Sequence, residues 1–337
     1  MNVIIIGAGR MGIRHAQGIV DVESINNIVM VDINQESLDN ASSMFLQSPN
    51  YHKLYFYLKS NIDLIKEKFD IGILASTANN RAELYELLVV MGCKHILVEK
   101  PLGQSHKEVI DFNDIVVKSG VNCYVNLNMR LYDGFIRLRD DLDKQPQLQG
   151  HKTITVNTGT LGIGANGIHY LDLLYFLLDA DEAKIIAAKI DDTTIPSGRG
   201  ANFCDFGGWS VIEFYKNGDL VGTAILSLSS ISSVFGSWDI VAPHGRIYLN
   251  EVEQRRIDTL RKVDSEMPIN RYHADYLPST EYKVDSPFLG DLTAKWLIAL
   301  LQGESLLPTI GESIKVHTLM FDWLNHSKTY QEVFPIT

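Results

Sequence analysis

Apolar positions in the first third of the chain fall in short unbroken runs, not in alternation. Such runs occupy residues 2–6, 29–32, 54–58, 71–75, 95–98 and 122–126. Runs of four to seven residues with no polar partner face predict strands covered on both sides, as in a parallel sheet. Between them, residues 35–46, 62–69, 81–91 and 105–119 place apolar side chains at helical spacing, with Gly92 and Gly120 closing the last two. Strands alternating with helices predict a doubly wound α/β sheet, a Rossmann arrangement whose ligands sit at the carboxyl ends of the strands. Those ends carry Gly7, Asp32, Ser76-Thr77, Glu99-Lys100 and Asn126-Leu127-Asn128.

From about Gly150 the period changes. Residues 152–158 alternate as a half-buried strand does, 166–178 read as a helix, and 183–189, 208–215, 220–229, 237–242 and 246–250 are strand-like. Residues 227–237 are serine-rich and without period, and two late helices are predicted over 290–302 and 310–327. This predicts an α+β second domain built on one large, open, mostly antiparallel sheet. The strand signal is interrupted at Arg130-Leu131-Tyr132, which sets the expected division at 1–126 and 127–337. An open sheet with an apolar outer face calls for a cover, so a homodimer or homotetramer through that sheet is expected.

Composition narrows the class without naming an activity. The 337 residues are 45% hydrophobic with a formal net charge of -11, a balance that disfavours nucleic acid and anionic membrane surfaces as partners. No apolar stretch reaches the roughly 18 residues of a membrane span. The first apolar run lacks a basic flank and a cleavage site, so it reads as a strand and the expected location is cytoplasmic. Cys93, Cys123 and Cys204 are widely spaced beside apolar runs and read as reduced core thiols. No Cys/His cluster has metal-ligand spacing, and no metal is predicted.

The chemistry is concentrated in three places. Gly7-Ala8-Gly9-Arg10-Met11-Gly12 follows the first strand, and Asp32 closes the second strand twenty positions after the last glycine. Gly7 permits the tight turn, Gly9 lets a pyrophosphate approach the backbone, and Gly12 lets the helix pack close. Arg10 and Met11 lie at the helix start, whose free N–H groups suit phosphates. Asp32 can accept both ribose hydroxyls and would repel a 2′-phosphate, which predicts NAD rather than NADP; Ser76, Thr77, Glu99 and Lys100 complete the expected cofactor set.

Glu99-Lys100-Pro101 ends the strand that is expected to pass beside the nicotinamide of a bound dinucleotide. A lysine next to a cationic ring has its ammonium form disfavoured and suits proton exchange with a hydroxyl. The third place is 162–172, where glycines deliver the chain to a helix carrying Asn166, His169 and Asp172 three residues apart. Arg130 and Tyr132 are candidates for the substrate side, against plainer readings as an interdomain ion pair and a core aromatic. Phe203, Phe206, Trp209 and Trp238 read as sheet and interface packing, and His15, His106, His244, His273 and His317 show no partner pattern.

Together the Gly7–Gly12 fingerprint, Glu99-Lys100-Pro101, Met129-Arg130 and Gly167-Ile168-His169-Tyr170-Leu171-Asp172 resemble the glucose–fructose oxidoreductase / inositol dehydrogenase family. The resemblance implies Lys100 and His169 at the reactive centre, Asp172 on the same helix face, and a C-terminal open sheet at the subunit interface. Two positions depart from the family pattern. Its usual acid four residues before the histidine is Ala165 here, and after Thr77 the chain has Ala78 and Ala82 in place of Pro and His. The expected activity is an NAD-dependent oxidoreductase on a sugar, cyclitol or nucleotide-linked sugar. The alternatives are a catalytically silent NAD(H)-sensing protein of the same fold and a reductase of an unsaturated or imine substrate.

Overall fold

The computed structural model describes residues 1–197, 200–268, 270–271, 275–327 and 332–337. His273 lies outside them. The first elements alternate as expected: β1 (Asn2–Ile6), α1 (Arg10–Ile19), β2 (Asn27–Asp32), α2 (Gln35–Phe45), β3 (Leu54–Leu58), β4 (Ile71–Leu74), α3 (Arg81–Val90), β5 (His95–Val98), α4 (His106–Ser119) and β6 (Asn122–Val125). The strands form a six-stranded parallel sheet in the order β3-β2-β1-β4-β5-β6. Its central β1 is buried on both faces from Val3 to Ile6, which is why its sequence is continuously apolar. Local signals set several helix ends: the Asn34 side chain accepts from the N–H of Glu36, Ser105 accepts from Glu108, and Gly120 ends α4 at φ 68°.

Later elements are α5 (Asp133–Lys144), β7 (Lys152–Asn157), α6 (Ile168–Leu178), β8 (Glu182–Pro196), β9 (Cys204–Lys216), β10 (Asp219–Leu228), β11 (Ser237–Ala242), β12 (Gly245–Asn250), β13 (Arg255–Leu260), β14 (Thr280–Lys283), α7 (Leu289–Leu301) and α8 (Ile310–Leu324). The eight strands make one sheet ordered β14-β13-β12-β11-β7-β10-β9-β8, in which β7–β10 is parallel and the other pairs antiparallel. The expected α/β class with a mostly antiparallel second sheet is therefore what the chain adopts.

By compactness the chain divides into residues 1–131, 287–317 and 337, and residues 132–286 with 318–336. The single cut at 126/127 puts 287–317 with the second half, whereas their contacts lie in the first unit. There, α7 packs on α1 with Gly18 against Gly290, and Val125 at the sheet edge donates to the carbonyl of Pro308 at 2.9 Å. The returning segment thus covers the open edge of β6.

Four readings of elements change. Residues 62–69 are not a helix. A 3₁₀ turn spans Lys59–Leu64, after which the backbone is drawn out by bonds from Phe69 to Met91 and from Asp70 to Asn2. Helix α5 was missed because charged residues surround its buried stripe of Phe135, Leu138 and Leu142. Strands β13 and β14 were missed for a related reason. The inward positions of β13 are Arg256 and Asp258, paired with each other and with Asp141 at 2.6 Å, so the polar pattern is inverted. Among the four aromatics, Trp238 is fully buried and stacks on Tyr170, and Phe206 meets Phe334 edge-on, whereas Trp209 is 41% exposed. Cys93 and Cys123 are core thiols; Cys204 is half-buried.

Candidate functional site

In the first unit the strand ends open onto a cleft of about 340 Å³ that Gly7, Gly9, Asp32, Ser76 and Thr77 line. Gly7 has φ 105°, and a Cβ there would lie 2.7 Å from the Ala75 carbonyl oxygen. At Gly12 a Cβ would come within 1.8 Å of the Gly7 oxygen. Both glycines are thus required by the protein's own packing. Gly9 is different, because a Cβ there would meet nothing within 4 Å. That open space is where a ligand backbone can approach.

Asp32 is fixed before any ligand arrives. Its Oδ2 accepts from the N–H of Ala8 at 2.7 Å and its Oδ1 from the N–H of Asn34 at 2.9 Å. The cleft also takes in Ile33, Lys59, Asn79 and Asn80, which sequence reading did not single out. They lie just past strand ends, a position that could have flagged them. Arg10 and Met11 open α1, and Gly12 faces β1.

Glu99 and Lys100 close β5, and both are buried, Lys100 at 9% exposure. Glu99 was expected at the cofactor. Its side chain instead turns inward, where Oε1 accepts from the Asn126 amide at 2.6 Å and lies 3.0 Å from His15 Nε2. The other ring nitrogen of His15 meets Thr293 Oγ1 of α7 at 2.8 Å. Burial alone pushes a carboxyl pKa up, but His15, the Lys100 charge and Asn126 outweigh it and hold Glu99 down at about 2. Glu99 is a buried anion beside Lys100.

The residues after Lys100 are anchored as well. The Lys100–Pro101 peptide is cis, and Leu102 donates its N–H to His317 Nε2 at 3.0 Å. Because Nε2 accepts, the proton of this ring is on Nδ1, which donates to the Ser313 carbonyl at 2.8 Å. Burial, with help from the charges of Arg81 and Lys100, lowers the His317 pKa to about 4. Neither His15 nor His317 showed a sequence signal, since their partners lie 84 and 215 positions away. Arg130 has a guanidinium nitrogen 3.9 Å from Glu312 in the same unit.

In the second unit the expected helix 166–178 has two parts: a π-turn over Ile163–Gly167, then α6. Asn166 belongs to the π-turn and donates its amide to the Leu161 carbonyl at 2.8 Å. His169 and Asp172 are both buried on α6. Tyr132 packs on Phe135, and burial together with Glu251 pushes its phenol up to about 12. Of the residues expected at the cofactor, Gly7, Gly9, Asp32, Ser76 and Thr77 line one cleft of the first unit, and Arg10, Met11, Gly12, Glu99 and Lys100 are not among its lining residues. The structure places His169, Asn166, Asp172 and Tyr132 in the second unit.

Residues 1–127 match the model of the oxidoreductase family with an NAD-binding Rossmann fold. Over those residues the chain is similar to the Gfo/Idh/MocA oxidoreductases. No protein of curated function matches the chain by sequence. Solved structures share the fold along nearly the whole length. The UDP-N-acetylglucosamine 3-dehydrogenase GnnA from Acidithiobacillus ferrooxidans is 14% identical with a TM-score of 0.69, covering 97% of each chain. An oxidoreductase from Agrobacterium radiobacter in complex with NAD+, L-tartaric acid and magnesium is 13% identical with a TM-score of 0.71, covering 97% of this chain and 96% of its own. A 3-ketoreductase from Actinomadura kijaniata, in complex with TDP-benzene and NADP, is 14% identical with a TM-score of 0.68, covering 97% and 98%. Among the described residues no helix is long and apolar enough to cross a membrane.

The His317 contact yields a pH test. Its folded pKa of about 4 lies below the unfolded value near 6.5, so its contribution is complete above pH 6.5 and is lost as pH falls through 4. Urea unfolding of the parent should weaken by on the order of 2–3 kcal/mol across that window from this group. In His317→Gln that component of the slope should vanish; an unchanged slope between pH 6.5 and 4 would contradict the assignment.

Proposed function

We propose that this chain is an NAD(H)-dependent oxidoreductase acting on a secondary alcohol or ketone of a sugar, cyclitol or nucleotide-linked sugar. The observation that carries the reading is the cleft at the strand ends, where a fixed Asp32 carboxylate stands beside the space left open at Gly9. A diphosphate there would meet the N-terminal amides of α1, and the two ribose hydroxyls would donate to Asp32. A 2′-phosphate would meet a carboxylate that backbone N–H groups hold in place, which supports NAD(H) over NADP(H). The nicotinamide carries the hydride when it is bound.

The remaining chemistry belongs to the side chains. Oxidising a secondary alcohol also removes its hydroxyl proton, and reducing a ketone returns one. We assign that proton to Lys100, with His169 as shuttle or second donor. Glu99 stabilises the Lys100 ammonium, the form that donates in the reductive direction, and thus opposes the effect of a cationic ring. We assign Asn166, Asp172, Arg130 and Tyr132 to the substrate side, Asn166 and Arg130 keeping their protein contacts. The family match of residues 1–127 supports the hydride-transfer class. Relatives of the fold described as a nucleotide-sugar 3-dehydrogenase and a 3-ketoreductase support the sugar hydroxyl.

Assembly through the eight-stranded sheet is part of the same proposal. Trp209, Ile225, Val241 and Tyr248 stand exposed on β9, β10, β11 and β12, a spread of apolar positions that a second copy would cover. Sedimentation at micromolar concentration should find a homodimer or homotetramer, and a monomer would contradict it.

Two measurements test the chemistry. By calorimetry NAD(H) should bind more tightly than NADP(H), with Asp32→Ala narrowing the gap; equal or tighter NADP(H) binding by the parent refutes the cofactor assignment. With a panel of sugars, cyclitols and nucleotide sugars, Lys100→Ala should keep its NAD(H) affinity while turnover falls roughly 10²–10⁴-fold. His169→Ala should cost less if the lysine leads, and near-parent turnover by Lys100→Ala would sink the proton assignment.

A further inference from the structure

The helix that carries His169 begins under a carboxylate from a distant strand. Asp205, the second residue of β9, is buried at 5% exposure. Its Oδ1 accepts the N–H of Gly164 at 3.0 Å and of Phe206 at 2.8 Å, and its Oδ2 accepts the N–H of Ala165 at 2.6 Å. Gly164 and Ala165 are the second and third residues of the π-turn, so the carboxylate sits on amides that a helix start leaves without intrahelical partners. Room for it comes from Gly162. That residue has φ 76°, and a Cβ there would lie 2.3 Å from Asp205 Oδ2. Asn166 closes the other side of the turn on Leu161.

The arrangement does more than end a helix. Ala165 brings no acid of its own to this turn, yet a carboxylate oxygen stands 2.6 Å from its backbone nitrogen, delivered from 40 positions downstream. A negative charge at this end is stabilised by the positive end of the helix dipole. From Ile168 to Leu178 nearly every residue of α6 is buried, so packing holds the body of the helix. His169 is only its second residue, and the turn that Asp205 clamps sets how the imidazole is mounted.

We propose that Asp205 is a positioning residue for His169. It fixes the π-turn that leads into the helix carrying the imidazole and keeps a negative charge at the head of that helix. The proposal rests on the reading of His169 as a participant in proton transfer, and its test separates the two. In ¹⁵N-labelled protein the His169 ring resonance is identified by its loss in His169→Gln. Asp205→Asn should shift or double that resonance and leave those of His15 and His317, in the other unit, in place. In the turnover assay kcat should fall about tenfold, as misplacement of a proton-transfer group does, with KM and NAD(H) affinity little changed.

Asp205→Glu keeps the charge and should recover part of both effects. If the asparagine variant does not fold, Asp205→Ser, which removes the charge and shortens the side chain, serves as the test, an unmoved resonance again counting against the proposal. A folded Asp205→Asn with parent-like His169 resonance and kcat overturns it, even if the melting temperature drops. Failure of the parent to turn over any substrate would defeat the oxidoreductase reading. A shifted ring resonance in that case still establishes the positioning.

Discussion

The first unit is organised around one buried anion. A carboxylate in the interior is costly unless charge and hydrogen bonds compensate it, and Glu99 finds both in His15 and Asn126. Those partners come from different elements: His15 from α1, Asn126 from just past β6, and Thr293 behind His15 from α7. One charge therefore joins the glycine-turn helix, the end of the sheet and the returning segment. Lys100 is the next residue in the chain. Its backbone is held before by Glu99 and after by the bond from Leu102 to His317, so both sides of its short segment are tied to the interior. Removing one partner from such a set leaves a desolvated charge behind, which is why the cluster holds together as a group.

A second device appears once in each unit. Asp32 and Asp205 are carboxylates whose two oxygens accept backbone N–H groups at glycine-containing turns. Charge-assisted bonds to the main chain are stronger than neutral ones, and they orient the acid without help from a flexible side chain. In the first unit the result is a fixed anion beside an open cleft. In the second it is a fixed start for the helix that carries His169. Where a pre-oriented group must meet a substrate, precision set in advance lowers the cost of reaching the reactive geometry.

The sequence alone determined the parallel sheet, because strands covered on both faces are apolar along most of their length and six short apolar runs follow one another. It also determined the turn after β1, where Gly7 and Gly12 are required by close backbone approach. Local chemistry reaches only a few residues along the chain, and these features are local. Tertiary structure decided what depends on distant partners. Nothing near His15 or His317 announces a ligand, since Glu99 and Leu102 reach them only after the chain has folded. The inverted pattern of β13 hid a strand, because Arg256 and Asp258 can face inward only when paired there. The Ala165 N–H meets the Asp205 carboxylate, 40 residues away, only because β9 passes beside the π-turn. Buried charge is legible only with its partner, and the partner is chosen by the fold.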